Sequence, residues 1–136
     1  IIVCCGYFLA AFGIWTEAGA EDIGVLAVGF ILSRALNGFG ICTFPCAKNS
    51  GLAATFAQAA DRKRCQIVLV IEILLCIAGM LLIDPLRGTT AAVAAVVVCL
   101  CCRRMAIKTF GGITGDIQGF FLQICELAMA YVVILQ

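Results

Sequence analysis

The run Gln66-Ile67-Val68-Leu69-Val70-Ile71-Glu72-Ile73-Leu74-Leu75-Cys76-Ile77-Ala78-Gly79-Met80-Leu81-Leu82-Ile83 decides the fold. Arg62-Lys63-Arg64 stands before it and Asp84-Pro85 after it, with Glu72 as its one charge. The hydrocarbon core of a bilayer is about 30 Å thick and takes about 20 predominantly apolar residues of helix to cross. The run has the length, the composition and the charged boundaries of a membrane span.

Outward from it, four more apolar runs lie between charged connectors, at residues 1–16, 22–43, 89–102 and 117–135. The first reads as truncated, and the fourth in chain order, 89–102, is short enough to be tilted or partly buried. The fold class expected is therefore all-α, a polytopic integral membrane helical bundle of about five transmembrane helices forming a single transmembrane domain over residues 1–136. Composition agrees: 64% of residues are hydrophobic and 12% charged, whereas soluble domains average roughly 45–50% and 25%. So few charges cannot cover a water-facing surface, which makes the lipid bilayer the chain's first partner. No internal repeat stands out, although the Ala/Val run Ala91 to Val98 has the small residues that allow close helix packing.

Connector charges set an orientation. Lys48 and Arg62 to Arg64 follow the second run, and Arg103, Arg104 and Lys108 follow the fourth, while Glu17, Glu21 and Asp22 follow the first and Asp84 and Arg87 the third. By the enrichment of Lys and Arg in cytoplasmic loops, connectors 44–65 and 103–116 lie inside, and 17–21 and 84–88 outside. The net charge of +1 gives no argument for a nucleic acid partner. Cys4, Cys5, Cys76, Cys99, Cys101 and Cys125 lie in or beside apolar runs and read as small hydrophobes. Cys42 and Cys46 lack a second pair of ligands for zinc, and the chain has no histidine. It opens without Met, inside an apolar run and without a basic leader region, which reads as a start within a longer protein.

Phe110-Gly111-Gly112-Ile113-Thr114-Gly115-Asp116-Ile117-Gln118-Gly119 is the densest unusual segment. Glycines permit close backbone approach and a helix start favours anions, so the segment reads as a phosphate or metal-phosphate cradle, or else as a turn with Asp116 capping the last helix. Gly119, Gln123 and Glu126 follow Asp116 at offsets of 3, 7 and 10. At about 100° per residue the four share an arc of roughly 80°. Such a stripe faces protein or a watery cavity, because ionisable groups are costly in lipid. Asp116 and Glu126 are about 15 Å apart along the axis, too far to share one ion. In the second run Ser33, Arg34 and Asn37 form a polar patch. Arg34 either pairs with Glu72 or offers its fork of donors to a substrate phosphate. Lys48 is a second candidate phosphate contact, with Asn49 or Ser50 capping a short interfacial helix. Arg62 to Arg64 read as a topology determinant at the headgroups.

Gly111-Gly112-Ile113-Thr114-Gly115-Asp116, then Gly119 and Glu126, resemble the C-terminal signature of the cobalamin 5'-phosphate synthase family, the adenosylcobinamide-GDP ribazoletransferases. Leu32-Ser33-Arg34 and Phe44-Pro45-Cys46-Ala47-Lys48-Asn49-Ser50-Gly51-Leu52 resemble that family's span-embedded arginine and following loop, so the likeness runs from about residue 30 to the end. The family commonly has Arg at the place of Lys48 and small residues at those of Phe120 and Phe121. Its N-terminal His-x-Asp-Gly-x-x-Asp magnesium element has no counterpart here. The resemblance implies a magnesium-dependent transferase of the bacterial inner membrane, with its active site facing the cytoplasm. Adenosylcobinamide-GDP and alpha-ribazole or its phosphate would be the substrates and GMP the leaving group. It further implies Asp116 as catalytic and metal-binding carboxylate and Lys48 as a catalytic phosphate contact. Arg34, Asn37, Gly111, Gly112, Thr114, Gly115, Gly119 and Glu126 would bind substrate. A missing N-terminal half would be the partner without which residues 1–136 are inactive, and assembly into a homo-oligomer is left open. Another membrane phosphotransferase and a small-molecule transporter with a midplane site are the competing readings.

Overall fold

The computed structural model describes residues 2–43 and 62–136, and these described residues form five helices. They are α1 (Ile2–Thr16), α2 (Ala20–Thr43), α3 (Arg62–Ile83), α4 (Pro85–Phe110) and α5 (Gly115–Ile134). The last four are each long and apolar enough to cross a membrane, and α1 is shorter. The all-helical membrane architecture expected from composition is thus the one observed, and the chain is a multi-pass membrane protein.

The span placed at residues 89–102 is corrected: α4 covers 26 residues, Pro85–Phe110. The charges of Arg103 and Arg104 mark its expected boundary. A helix end accommodates basic side chains, because the last carbonyls attract cations and long aliphatic stems reach the membrane surface. Apolar Ala106, only 1% exposed, keeps that final segment packed on the bundle. At 1.5 Å per residue α4 is about 39 Å long, enough to cross and project into the headgroups. The basic connector 103–116 accordingly shrinks to residues 111–114 between α4 and α5.

α2 lies at the centre, packed along α3 and α5 and touching α4, while α4 packs on α3 and α5, and α1 leans on α5. Val25, Leu32 and Leu36 of α2 meet Met80 of α3, Ala91 and Ala95 of α4, and Phe121, Cys125, Met129 and Val133 of α5 in one core. Ala91 and Ala95, one turn apart, are completely buried, so the Ala/Val run does bring helix backbones close. Leu74, Leu75 and Leu82 of α3 and Val93 and Val97 of α4 point outward, as a lipid-facing surface requires. Among the described residues the cysteines are unpaired; Cys76 and Cys125 are core residues.

The two ends of the bundle differ. At the basic end, Gln66 Nε2 donates to the Cys42 carbonyl at 3.1 Å and holds the end of α2 to the start of α3. At the acidic end, Asp84 alone connects α3 to α4. Its carboxylate caps α4 by accepting from Leu86 N at 2.9 Å and Arg87 N at 3.1 Å, with Pro85 in the first helical position. Arg87 then reaches Asp22 at 3.2 Å, Glu21 at 3.4 Å and Asp84 at 3.8 Å, tying the start of α2 to the α3–α4 turn. Asp22 is 5% exposed and also accepts from Gly19 N at 2.8 Å. Asp84→Ala removes the cap and is expected to cost about 0.5–2 kcal/mol in reversible unfolding in detergent micelles. Asp84→Asn, which keeps a capping oxygen, is expected to recover most of that, and equal losses from both would refute the capping role.

Candidate functional site at the basic end of α2 and α5

The turn between α4 and α5 explains most of its own glycines. Gly111 adopts φ 71°, the left-handed conformation that ends α4, and its N–H donates to the Ile107 carbonyl at 3.2 Å. The Gly112 N–H donates to the Ala106 carbonyl at 3.3 Å, completing the paired closure of a helix C-terminus. These two amides serve the fold and are not free to cradle a phosphate. Gly111→Ala places a side chain at positive φ and is expected to destabilise by about 1–2 kcal/mol. Gly115, whose added Cβ would meet nothing within 4 Å, is expected to tolerate Ala with no loss of stability. Parallel melts of the two variants in detergent check this contrast.

Asp116 is not the N-cap of α5. Thr114 is: its Oγ1 accepts from Ile117 N at 3.4 Å, and its carbonyl accepts from Gln118 N at 3.2 Å. Asp116 sits in the first helical turn, exposed, where a carboxylate complements the helix dipole. No ion-pair partner for it occurs among the described residues. From Asp116 the anticipated stripe runs along α5: Gly119 is exposed and Gln123 and Glu126 are half-buried, while Ile117, Phe121, Cys125 and Met129 occupy the opposite, packed face. An added Cβ at Gly119 would meet nothing within 4 Å, so this residue forms an open wall rather than a packing contact. On the packed side, Gln118, Arg103, Cys102 and Gly40 help line a cavity of about 20 Å³, room for roughly one water.

The inner end of the stripe meets α2. Ser33, fully buried, places Oγ 2.9 Å from the Phe30 carbonyl and 3.3 Å from Glu126 Oε1. Arg34 Nη2 lies 3.9 Å from the same Oε1. The intramembrane partner of Arg34 is therefore Glu126 and not Glu72, which is half-buried on α3. Asn37, one turn nearer the basic end, keeps its Oδ1 buried without a hydrogen-bond partner among the described residues. Arg34 and Glu126 thus meet in a seam between α2 and α5, and Asn37, Gly119 and Asp116 stand further toward the basic end of the same two helices without being brought into contact with that pair. Lys48 and the rest of 44–61 lie outside the described residues.

Sequence reasoning missed the Arg87 cluster at the opposite end. Its signal was present in Asp84-Pro85, a capping residue followed by a first-position proline, and in the acidic pair Glu21-Asp22 that opens α2. The cluster is a clamp between helix ends and touches no residue of the seam.

Among the described residues no three His, Cys, Asp or Glu side chains converge on a common point where an ion would sit. Asp116 is one carboxylate without an ion-pair partner among the described residues. That fits the mode in which magnesium takes one protein carboxylate and draws its remaining ligands from substrate phosphates and water, and does not fit an all-protein cage.

The chain matches the family described as Cobalamin-5-phosphate synthase over residues 1–134, so the likeness covers α1 as well as the segment beyond residue 30. It is 36% identical over 129 residues to an adenosylcobinamide-GDP ribazoletransferase of Lachnoclostridium phytofermentans, a match covering 95% of this chain and 49% of that relative. The chain thus spans about half the length of the curated relative it matches. No solved structure matches. The chain belongs to the cobalamin-5-phosphate synthase family.

Proposed function

We propose that this chain is part of a membrane transferase that joins alpha-ribazole, or its 5'-phosphate, to adenosylcobinamide-GDP and releases GMP in late cobalamin biosynthesis. The observation that carries the reading is the Arg34–Glu126 pair between α2 and α5, with Asp116 exposed at the basic end of α5 and without an ion-pair partner among the described residues, in a chain matched to the family from residue 1 to residue 134. The ribazole hydroxyl attacks the phosphorus attached to cobinamide, the bond from that phosphorus to the GMP oxygen breaks, GMP departs with the electron pair, and the hydroxyl proton is released to solvent. Such a substitution asks a protein for alignment of the attacking and leaving oxygens and for neutralisation of charge.

The residues divide that work by position. Arg34 offers several N–H donors to phosphate oxygens, and Lys48 supplies a second positive charge. Asp116 positions substrate at the basic end of α5, and it would hold magnesium jointly with substrate phosphate; a bound magnesium ion supplies electrostatic stabilisation of the charge on the transferring group. The cradle narrows to the start of α5, where Gly115 and Asp116 precede the capped amides and Thr114 is occupied as cap. Asn37 and Gly119 are further substrate contacts in this reading. The enrichment of Lys and Arg at this end of the bundle supports a reading in which it faces the cytoplasm of a bacterial cell, where the nucleotide substrates reside. The remaining half of the family's length is a needed partner in this reading, so residues 1–136 alone are inactive.

The test is complementation of a bacterial strain lacking its cobalamin synthase, using the native reading frame in its full length, with GMP release measured in membranes from the same cells. Corrinoid-dependent growth and GMP release support the reading. A well-expressed native protein giving neither would overturn it in favour of a transporter or structural role.

A further inference from the structure

We propose that Glu126 is a positioning residue: anchored by the buried Ser33 hydroxyl, its carboxylate holds the Arg34 guanidinium so that the remaining donors of Arg34 face a phosphate-bearing substrate. This rests on the transferase reading above and assigns a device to its site. The hydroxyl of Ser33 has one proton and two acceptors within reach, the Phe30 carbonyl at 2.9 Å and Glu126 Oε1 at 3.3 Å. The Arg34 guanidinium approaches the same Oε1 at 3.9 Å. Exposure separates the roles, because the Glu126 side chain is 15% exposed and that of Arg34 is 70% exposed. The acid is the fixed, sheltered member and the base is the open one.

A purely structural pair within a membrane shelters both charges, since an uncovered cation there is costly. Among the described residues Arg34 instead meets only Glu126, at one nitrogen, which leaves donors that no described residue takes. A second observation lies beside it. Asn37 is three residues from Arg34 on α2, and Gln123 is three residues from Glu126 on α5, so each lies about 4.5 Å nearer the basic end. The Oδ1 of Asn37, buried and without a hydrogen-bond partner among the described residues, is an acceptor that suits a donor on a ligand. An arginine with such N–H groups next to such a carbonyl suits a ligand that carries anionic phosphate oxygens together with N–H or O–H groups. The seam would therefore read both features of one substrate.

Steady-state kinetics of the full native enzyme in proteoliposomes, varying adenosylcobinamide-GDP, tests this. Glu126→Gln is expected to raise KM about 10-fold while kcat stays within about 3-fold, because the substitution removes ground-state positioning rather than chemistry. Arg34→Lys is expected to do the same, and the double variant to be no worse than the more impaired single variant, as for residues acting through one another. Glu126→Asp is expected to recover part of the KM loss. If Glu126→Gln lowers only the amount of folded enzyme and leaves KM alone, or if the two substitutions multiply, the inference falls while the transferase reading stands. Absence of turnover by the native enzyme itself would take down the transferase reading and this inference together.

Discussion

Gly88→Ala is expected to be the most damaging single-methyl change in the bundle. A Cβ at Gly88 would lie 2.6 Å from the Met80 carbonyl oxygen, 2.7 Å from the Met80 carbonyl carbon and 3.0 Å from Leu81 N. All three are backbone atoms at the end of α3, so no side chain can rotate away. The closeness is imposed by the turn: Asp84 is the sole connecting residue, its N–H donates to the Met80 carbonyl at 3.1 Å, and Gly88 N donates back to the Asp84 carbonyl at 2.8 Å. Adding the methyl group moves the start of α4 off α3 and pulls Arg87 away from Asp22. Gly→Ala in a helix ordinarily stabilises by about 0.5–1 kcal/mol, so the sign here must invert. Overpacking of this kind costs about 1–3 kcal/mol or more. Gly79 is the internal standard, since a Cβ there would meet only Val28 Cγ1 at 3.9 Å. Unfolding in detergent micelles, followed by thiol labelling of the buried Cys76 and Cys125, should show early exposure for Gly88→Ala and no change or a gain for Gly79→Ala. Equal behaviour of the two would refute the close approach.

Which parts of this structure were legible beforehand follows from the range of the forces involved. Helix existence depends on the length and polarity of a run, both local properties, and the runs around Leu75 and Cys125 were accordingly found. The end of α4 was not, because the charges of Arg103 and Arg104 mimic a span boundary ahead of the C-capping signal of Gly111, whereas both side chains sit comfortably in the last turns of a membrane helix. The polar stripe from Asp116 to Glu126 was legible from helical periodicity alone. Its far partner was not: choosing Glu126 over Glu72 for Arg34 requires knowing which face of α2 meets α5 and which meets α3, and a sequence taken helix by helix holds no such information. The same limit explains the Arg87 clamp, whose members are distant along the chain although each occupies an unsurprising helix-end position.

Loss of the Asp116 carboxylate is expected to lower kcat of the full native enzyme by on the order of 10²-fold or more, the scale set by removing one group that stabilises or aligns a transition state. Structure makes this residue unusually clean to test. Asp116 is exposed, it is not the helix cap, and no ion-pair partner for it occurs among the described residues. Replacing it forfeits only its interaction with the helix dipole, about 0.3–1 kcal/mol, too little to unfold the bundle. Asp116→Asn preserves shape and most local hydrogen bonding while removing the charge, so the folded yield should match the native protein and GMP release should collapse. If magnesium is held jointly by Asp116 and substrate phosphate, the residual activity of the variant should also need a higher magnesium concentration for half-saturation. A loss of rate with unchanged magnesium dependence would keep Asp116 as a substrate-positioning carboxylate and remove it from the metal. Near-native turnover by Asp116→Asn, with growth restored in the complemented strain, would exclude it from the reaction and leave Arg34 and Lys48 as the charged residues around which the site must be built.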